Sequence, residues 1–134
     1  MKQGIQTHFQ RDNLRLYGCY FFALLRWSEI ITGNQYSEAD AIQLFELCRY
    51  KGWIDNECFV SDPVGILNFC IGEKKYREVI KAETPPQSRI YIVYQKKPGH
   101  GHFTLSHNGE IWDSLEPDRQ GAKDYHIDSY RVMV

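Results

Sequence analysis

The sequence lacks the features that would direct it to nucleic acid or to a membrane. It has no excess of either charge, since 16 Lys and Arg residues are balanced by 17 Asp and Glu residues among 134. No broad basic field can therefore attract nucleic acid, and we expect no nucleic-acid partner. Its longest nearly apolar run, Tyr17–Leu25, is far shorter than the ~20 residues that span a bilayer, and Met1–Asp12 has no signal-peptide core. These absences predict a cytoplasmic protein without a membrane partner.

The four cysteines show neither a disulfide framework nor the spacing of a zinc site. Cys19, Cys48, Cys58 and Cys70 form no C-x-x-C pair. We therefore interpret all four as free thiols, and we predict no cofactor and no bound metal. Cys48 and Cys70 lie in apolar helical contexts, where a buried thiol behaves as a small, inert hydrophobic side chain.

The chain divides at Glu83–Ser88, where a Pro-Pro pair favours extended backbone. Helical spacing and capping residues predict three helices before this point. The first is Cys19–Ile31, the second is capped by Ser37 and ends at Gly52, and the third is capped by Ser61-Asp62, has Pro63 at its first position and ends at Gly72. Alternating or β-branched segments predict strands at Tyr76–Lys81, Arg89–Gln95, His102–His107, Glu110–Ser114 and Ser129–Val134. We therefore predict a single α+β domain over residues 1–134, with N-terminal helices packed on a C-terminal antiparallel sheet.

Asn108-Gly109 is a strong signal for a tight hairpin, because Asn-Gly readily adopts the two positive φ angles of a type I′ turn. A two-residue turn places Asp113 opposite Thr104. His102 lies two residues from Thr104 and therefore shares that face. We expect a hydrogen bond between His102 and Asp113 across the hairpin. His107 points to the opposite face.

Cys19 has unusual surroundings, because it follows Gly18 at the start of the most hydrophobic predicted helix. The positive end of a helix favours a nucleophilic thiolate. Such a nucleophile also needs a base, and the base needs an orienting acceptor. His102 and Asp113 supply that pair. The alternative for Cys19 is a buried structural cysteine, and the alternative for His102 and Asp113 is a solvated ion pair.

The order Cys19, His102, Asp113 resembles that of the papain-like cysteine peptidases. The likeness is closest to small bacterial members related to the peptidases that process bacteriocin leaders, and it covers Asn13–Pro117. It is carried by three short segments: Gly18-Cys19-Tyr20-Phe21, Gly101-His102-Phe103-Thr104-Leu105 and Ile111-Trp112-Asp113-Ser114-Leu115. The first segment, together with Trp53–Cys58, is also similar to a family of uncharacterised spirochaete and phage proteins.

The resemblance implies a papain-like fold that performs acyl transfer on a peptide or protein substrate, as a peptidase or amidase. In it Cys19 is the nucleophile, His102 the general base and acid, and Asp113 the residue that orients the imidazole. The superfamily usually has a Gln about six residues before the cysteine, where it helps to bind the oxyanion. Asn13 holds that position here, and Tyr20 stands where many relatives have a small residue.

Two other interpretations stay open. Asn13 and Tyr20 favour a catalytically inactive papain-like domain that binds a peptide or protein. A metal site could instead use His100 and His102, which share a face of an extended segment, with Asp113 as a third ligand. The sequence leaves the oligomeric state open.

Overall fold

The computed structural model describes all residues, Met1–Val134. Four helices precede the sheet: α1 (Asp12–Tyr17), α2 (Cys19–Thr32), α3 (Glu38–Tyr50) and α4 (Pro63–Ile71). Five strands follow: β1 (Val79–Ala82), β2 (Ile90–Lys97), β3 (His100–His107), β4 (Glu110–Trp112) and β5 (His126–Met133). They form one sheet in the order β1-β5-β2-β3-β4, with every pair antiparallel. The predicted α+β class is confirmed.

The helix starts follow from the capping residues. At α3 the Ser37 hydroxyl accepts from the Asp40 N–H, and the Asp40 carboxylate accepts from the Ser37 N–H. At α4 the Asp62 carboxylate accepts from the Gly65 N–H, and Pro63 is the first helical residue. The predicted starts of these two helices are therefore confirmed.

The structure differs from the sequence prediction on both sides of the candidate site. A short helix, α1, lies before Gly18, where the sequence predicts no helix. Its six residues are too few to show a helical period in the sequence. Strand β4 ends at Trp112, so Asp113 lies just outside the sheet, and its N–H donates to the Gln3 side chain.

A single core joins the helices to the sheet. Its 18 buried residues include members of all four helices and of β2, β3 and β5. Helix α2 is the central element, and the side chains of Phe21, Phe22, Leu24 and Leu25 are fully buried. The helices thus pack on the antiparallel sheet, as predicted. None of these helices has the length and apolar character needed to cross a membrane.

Candidate active site

The β3–β4 hairpin brings His102 and Asp113 together. Asn108 and Gly109 both have positive φ, 52° and 83°, and His107 pairs with Glu110 as the two-residue turn predicts. His102 Nε2 lies 2.7 Å from Asp113 Oδ1, and the two residues are only 1% and 8% exposed. The predicted contact is confirmed as a buried hydrogen bond.

Cys19 joins this pair from the other half of the molecule. It is the first residue of α2 and is half-buried, and its thiol lies close enough to the His102 ring to help raise the pKa of that ring. Because Asp113 occupies Nε2, Nδ1 is the ring nitrogen left to exchange a proton with Cys19. The thiol, imidazole and carboxylate therefore form one cluster.

The two partners set the charge of the cluster. Burial lowers the pKa of His102, but hydrogen bonds to Asp113 and Cys19 outweigh it and raise this pKa to about 9. Burial raises the pKa of Asp113, but the hydrogen bond and charge of His102 hold this pKa below its usual value. At neutral pH the ring is thus an imidazolium beside a carboxylate, which is the state that stabilises a neighbouring thiolate.

Arg119 also holds the carboxylate, and sequence reasoning missed it. Its Nη1 donates to Asp113 Oδ2 at 3.1 Å, while the Leu115 N–H donates to Asp113 Oδ1 at 2.9 Å. The Arg119 guanidinium also lies 5.5 Å from the centre of the Tyr125 ring. It belongs to an irregular segment after β4, where no periodic pattern indicates which side chains turn inward.

Gln6 is a second residue that the sequence does not single out. It is 1% exposed, its Nε2 donates to the Arg15 carbonyl at 2.9 Å, and its Oε1 accepts from the Ser114 hydroxyl at 2.6 Å. In a continuous helix the Arg15 carbonyl would accept from the Cys19 N–H, four residues later. Gln6 takes this acceptor instead, so the Cys19 N–H stays available at the start of α2. Gln6 thereby ties α1, which ends two residues before Cys19, to Ser114, the residue after Asp113.

Gln6→Met tests this positioning role. The methionine keeps the volume but removes both hydrogen bonds, so we expect alkylation of Cys19 by iodoacetamide at neutral pH to slow by about tenfold. We also expect the free energy of unfolding to fall by about 1–3 kcal/mol, because the Arg15 and Ser114 groups lose their partner. Gln10→Met at an exposed position is the matched control. A stability loss without any change in alkylation would assign Gln6 a purely structural role.

Asn13 is held away from a direct bond to Cys19. Its Nδ2 donates to the Asn56 carbonyl at 3.1 Å, and its Oδ1 accepts from the Leu14 N–H at 2.9 Å. The Asn13 carbonyl accepts from the Cys58 thiol at 3.5 Å. The side-chain amide is therefore engaged with the loop around Asn56.

The structure contains no set of ligands for the alternative metal site. His100 is exposed at the start of β3, whereas His102 is buried and bonded to Asp113. Nowhere do three His, Cys, Asp or Glu side chains converge as metal ligands. His102 and Asp113 thus form a hydrogen-bonded pair.

The other cysteines differ from Cys19 in their surroundings. All four are free thiols, as predicted. Burial raises the pKa of Cys48 to about 11 and those of Cys58 and Cys70 to about 12. Cys48 is buried as expected, Cys58 is also buried, and Cys70 is only half-buried. These three thiols are protonated at neutral pH.

Cys19 opens into a groove of about 520 Å³ between α2, the segment before α4, and the sheet. Most of the lining is apolar and includes Tyr20, Phe59, Val60, Tyr94 and Phe103. The Tyr20 and Phe103 rings stack with their centres 4.1 Å apart. The nucleophile candidate therefore lies at an accessible surface, although its partner His102 is buried.

These features define an α+β protein with a thiol, an imidazole and a carboxylate gathered at the start of its central helix. The chain belongs to DUF261, a protein family of unknown function whose profile matches residues 1–134. No curated protein and no solved structure matches the chain.

Proposed function

We propose that this protein is a papain-like cysteine peptidase or amidase that acts by acyl transfer. The observation that carries the proposal is the buried His102–Asp113 hydrogen bond, with the Cys19 thiol near enough to the same ring to affect its pKa. The apolar groove beside Cys19 offers room for a peptide or protein substrate. The order of the three residues and the central helix that Cys19 opens support the papain-like assignment.

In the proposed reaction the Cys19 thiolate attacks the carbonyl carbon of an amide and forms a carbon–sulfur bond. The Cys19 N–H, at the positive end of α2, donates to the oxyanion. Asn13 is the second candidate donor, and this role requires its amide to exchange the Asn56 carbonyl for the oxyanion. His102 gives its proton to the leaving amine as the carbon–nitrogen bond breaks.

Water completes the cycle. Neutral His102 takes a proton from a water molecule, whose oxygen attacks the thioester. The carbon–sulfur bond then breaks, the acid is released, and the thiolate and imidazolium are restored. Asp113 stays ionised throughout and holds the ring in the required orientation.

The decisive experiment has two readouts, an acyl-enzyme and peptide cleavage. With p-nitrophenyl acetate we expect an acetyl group on Cys19, detected by mass spectrometry. With a peptide library made from digested cell protein, we expect new termini that Cys19→Ser and His102→Gln fail to produce. Cys70→Ser is the matched control, since it removes a thiol outside the cluster. The absence of both an acyl-enzyme and peptide cleavage would refute the catalytic proposal.

One observation favours the alternative of an inactive domain that binds a peptide or protein. The Asn13 amide is bonded to Asn56, so the second oxyanion donor is not in place. On this alternative, peptides bind the groove without being cleaved. A cytoplasmic location and the lack of nucleic-acid binding stay predictions of the sequence.

A further inference from the structure

The groove beside Cys19 contains one cation without a carboxylate partner. Arg131 is the only charged residue in its lining. Its Nη1 donates to the Ser129 hydroxyl at 2.8 Å and to the Tyr130 carbonyl at 3.2 Å, and no Asp or Glu forms an ion pair with it. A cation amid apolar groups, with neutral partners only, is a site for an anion.

An aromatic row leads from Cys19 to Arg131. Tyr20, the residue after Cys19, stacks on Phe103 of β3, and Phe103 contacts Tyr94 of β2 with ring centres 4.5 Å apart. The Arg131 guanidinium on β5 lies 5.6 Å from the centre of the Tyr94 ring. The strands β3, β2 and β5 are consecutive neighbours in the sheet. The row therefore crosses the sheet, with the thiol near one end and the cation at the other.

The spacing of the strands gives the length of this row. Neighbouring strands lie about 4.8 Å apart, so β3 and β5 are separated by roughly 10 Å. An extended peptide advances about 3.3 Å per residue and covers this distance in about three residues. Because Cys19 lies on α2, beyond β3, a substrate whose carbonyl lies at Cys19 reaches Arg131 with a side chain at least about three residues along its chain.

We infer that the groove selects an acidic peptide: an apolar side chain lies on the aromatic row, and a carboxylate at least about three residues from the attacked carbonyl pairs with Arg131. This inference rests on the proposed function and names its substrate class. Apolar walls strengthen the charge pairing, because they reduce the screening that water provides. A basic residue at the same peptide position would meet Arg131 and be repelled.

Binding to the Cys19→Ala protein tests the inference without cleavage. The probes are short alanine peptides, acetylated and amidated to remove terminal charges, with a neutral fluorophore and one Leu. Glu, Gln or Lys is placed at each position on either side of the Leu, and affinity is measured by fluorescence anisotropy. We expect Glu at one position to bind roughly tenfold more tightly than Gln, with Lys weakest. High salt should reduce this difference.

Variants of Arg131 assign the preference to this side chain. Arg131→Met should abolish the difference between Glu and Gln peptides, Arg131→Lys should retain it, and Arg131→Glu should favour Lys. Arg89→Met is the matched control, because Arg89 is exposed and outside the groove. The inference would be overturned if the Glu and Gln peptides bound equally well to the protein that retains Arg131. It would also be overturned if the preference for Glu survived in a folded Arg131→Met variant.

Cleavage of the same peptides by the wild-type protein, which retains Cys19, separates this inference from the proposed function. Cleavage without an acidic preference refutes the substrate class and keeps the peptidase. An acidic preference without cleavage of these peptides, and without an acyl-enzyme or cleavage in the two-readout experiment above, supports the binding site and refutes the peptidase.

Discussion

Iodoacetamide at pH 6 is expected to alkylate Cys19 at least about a hundredfold faster than any of the other three cysteines. Thiols with a pKa of about 11 or 12, as at Cys48, Cys58 and Cys70, are ionised to about one part in 10⁵ or less at this pH. Only Cys19 has a helix N-terminus and an imidazolium beside it. Mass-spectrometric mapping under limiting reagent measures the four rates separately.

Two controls define this result. In guanidinium chloride the four thiols should react at similar rates, because the differences arise from the fold. Cys19→Ser should remove the fast site and leave the slow ones unchanged. Equal rates in the folded protein, or protection of Cys19 alone, would refute the assignment of Cys19 as the nucleophile.

Asp113→Asn is expected to slow alkylation of Cys19 by about 10- to 100-fold near neutral pH. Asp113 is one of the groups that raise the pKa of His102, so its neutralisation lowers this pKa from about 9. The ring then loses its proton at a lower pH, and the thiolate loses its counterion between the two values. The loss should therefore be largest between about pH 6.5 and pH 9. A pH profile of alkylation and an NMR titration of His102 measure both effects.

His107→Ala is the internal control for Asp113→Asn. His107 belongs to β3, like His102, but it projects to the opposite face and should leave the alkylation profile unaltered. An unchanged profile in Asp113→Asn would refute its role beside the imidazole. Loss of cooperative melting in that variant would show that Asp113 acts on the fold instead.

The His102–Asp113 contact could be predicted because its determinants are local. The Asn-Gly turn fixes the register of the hairpin, and a strand alternates its side chains with a period of two. Helices α3 and α4 were predictable for a similar reason, since their caps lie within a few residues of their first turns. In each case the sequence separation is short.

The remaining contacts of the site could not be predicted in this way. Gln6 meets Ser114 across 108 residues, and Arg119 reaches Asp113 from a segment without regular structure. No periodic pattern marks either position, because the first contact depends on the tertiary fold and the second on irregular backbone six residues after Asp113. Likewise, the position of Asn13 six residues before Cys19 gives no indication that its amide donates to the Asn56 carbonyl. Asn56 lies in a loop 43 residues further along the chain.

The bridge from Gln6 to Ser114 also fixes when the site can form during synthesis. Gln6 cannot form its hydrogen bond with Ser114 until Ser114, which is synthesised 108 residues later, has left the ribosome. Contacts this distant in sequence form late, because closing a long loop costs entropy before any contact offsets it. Until then Cys19 has no imidazole and reacts as an ordinary thiol. If Cys19 is the nucleophile proposed above, the nascent chain carries it without its imidazole until β3 has folded against α2.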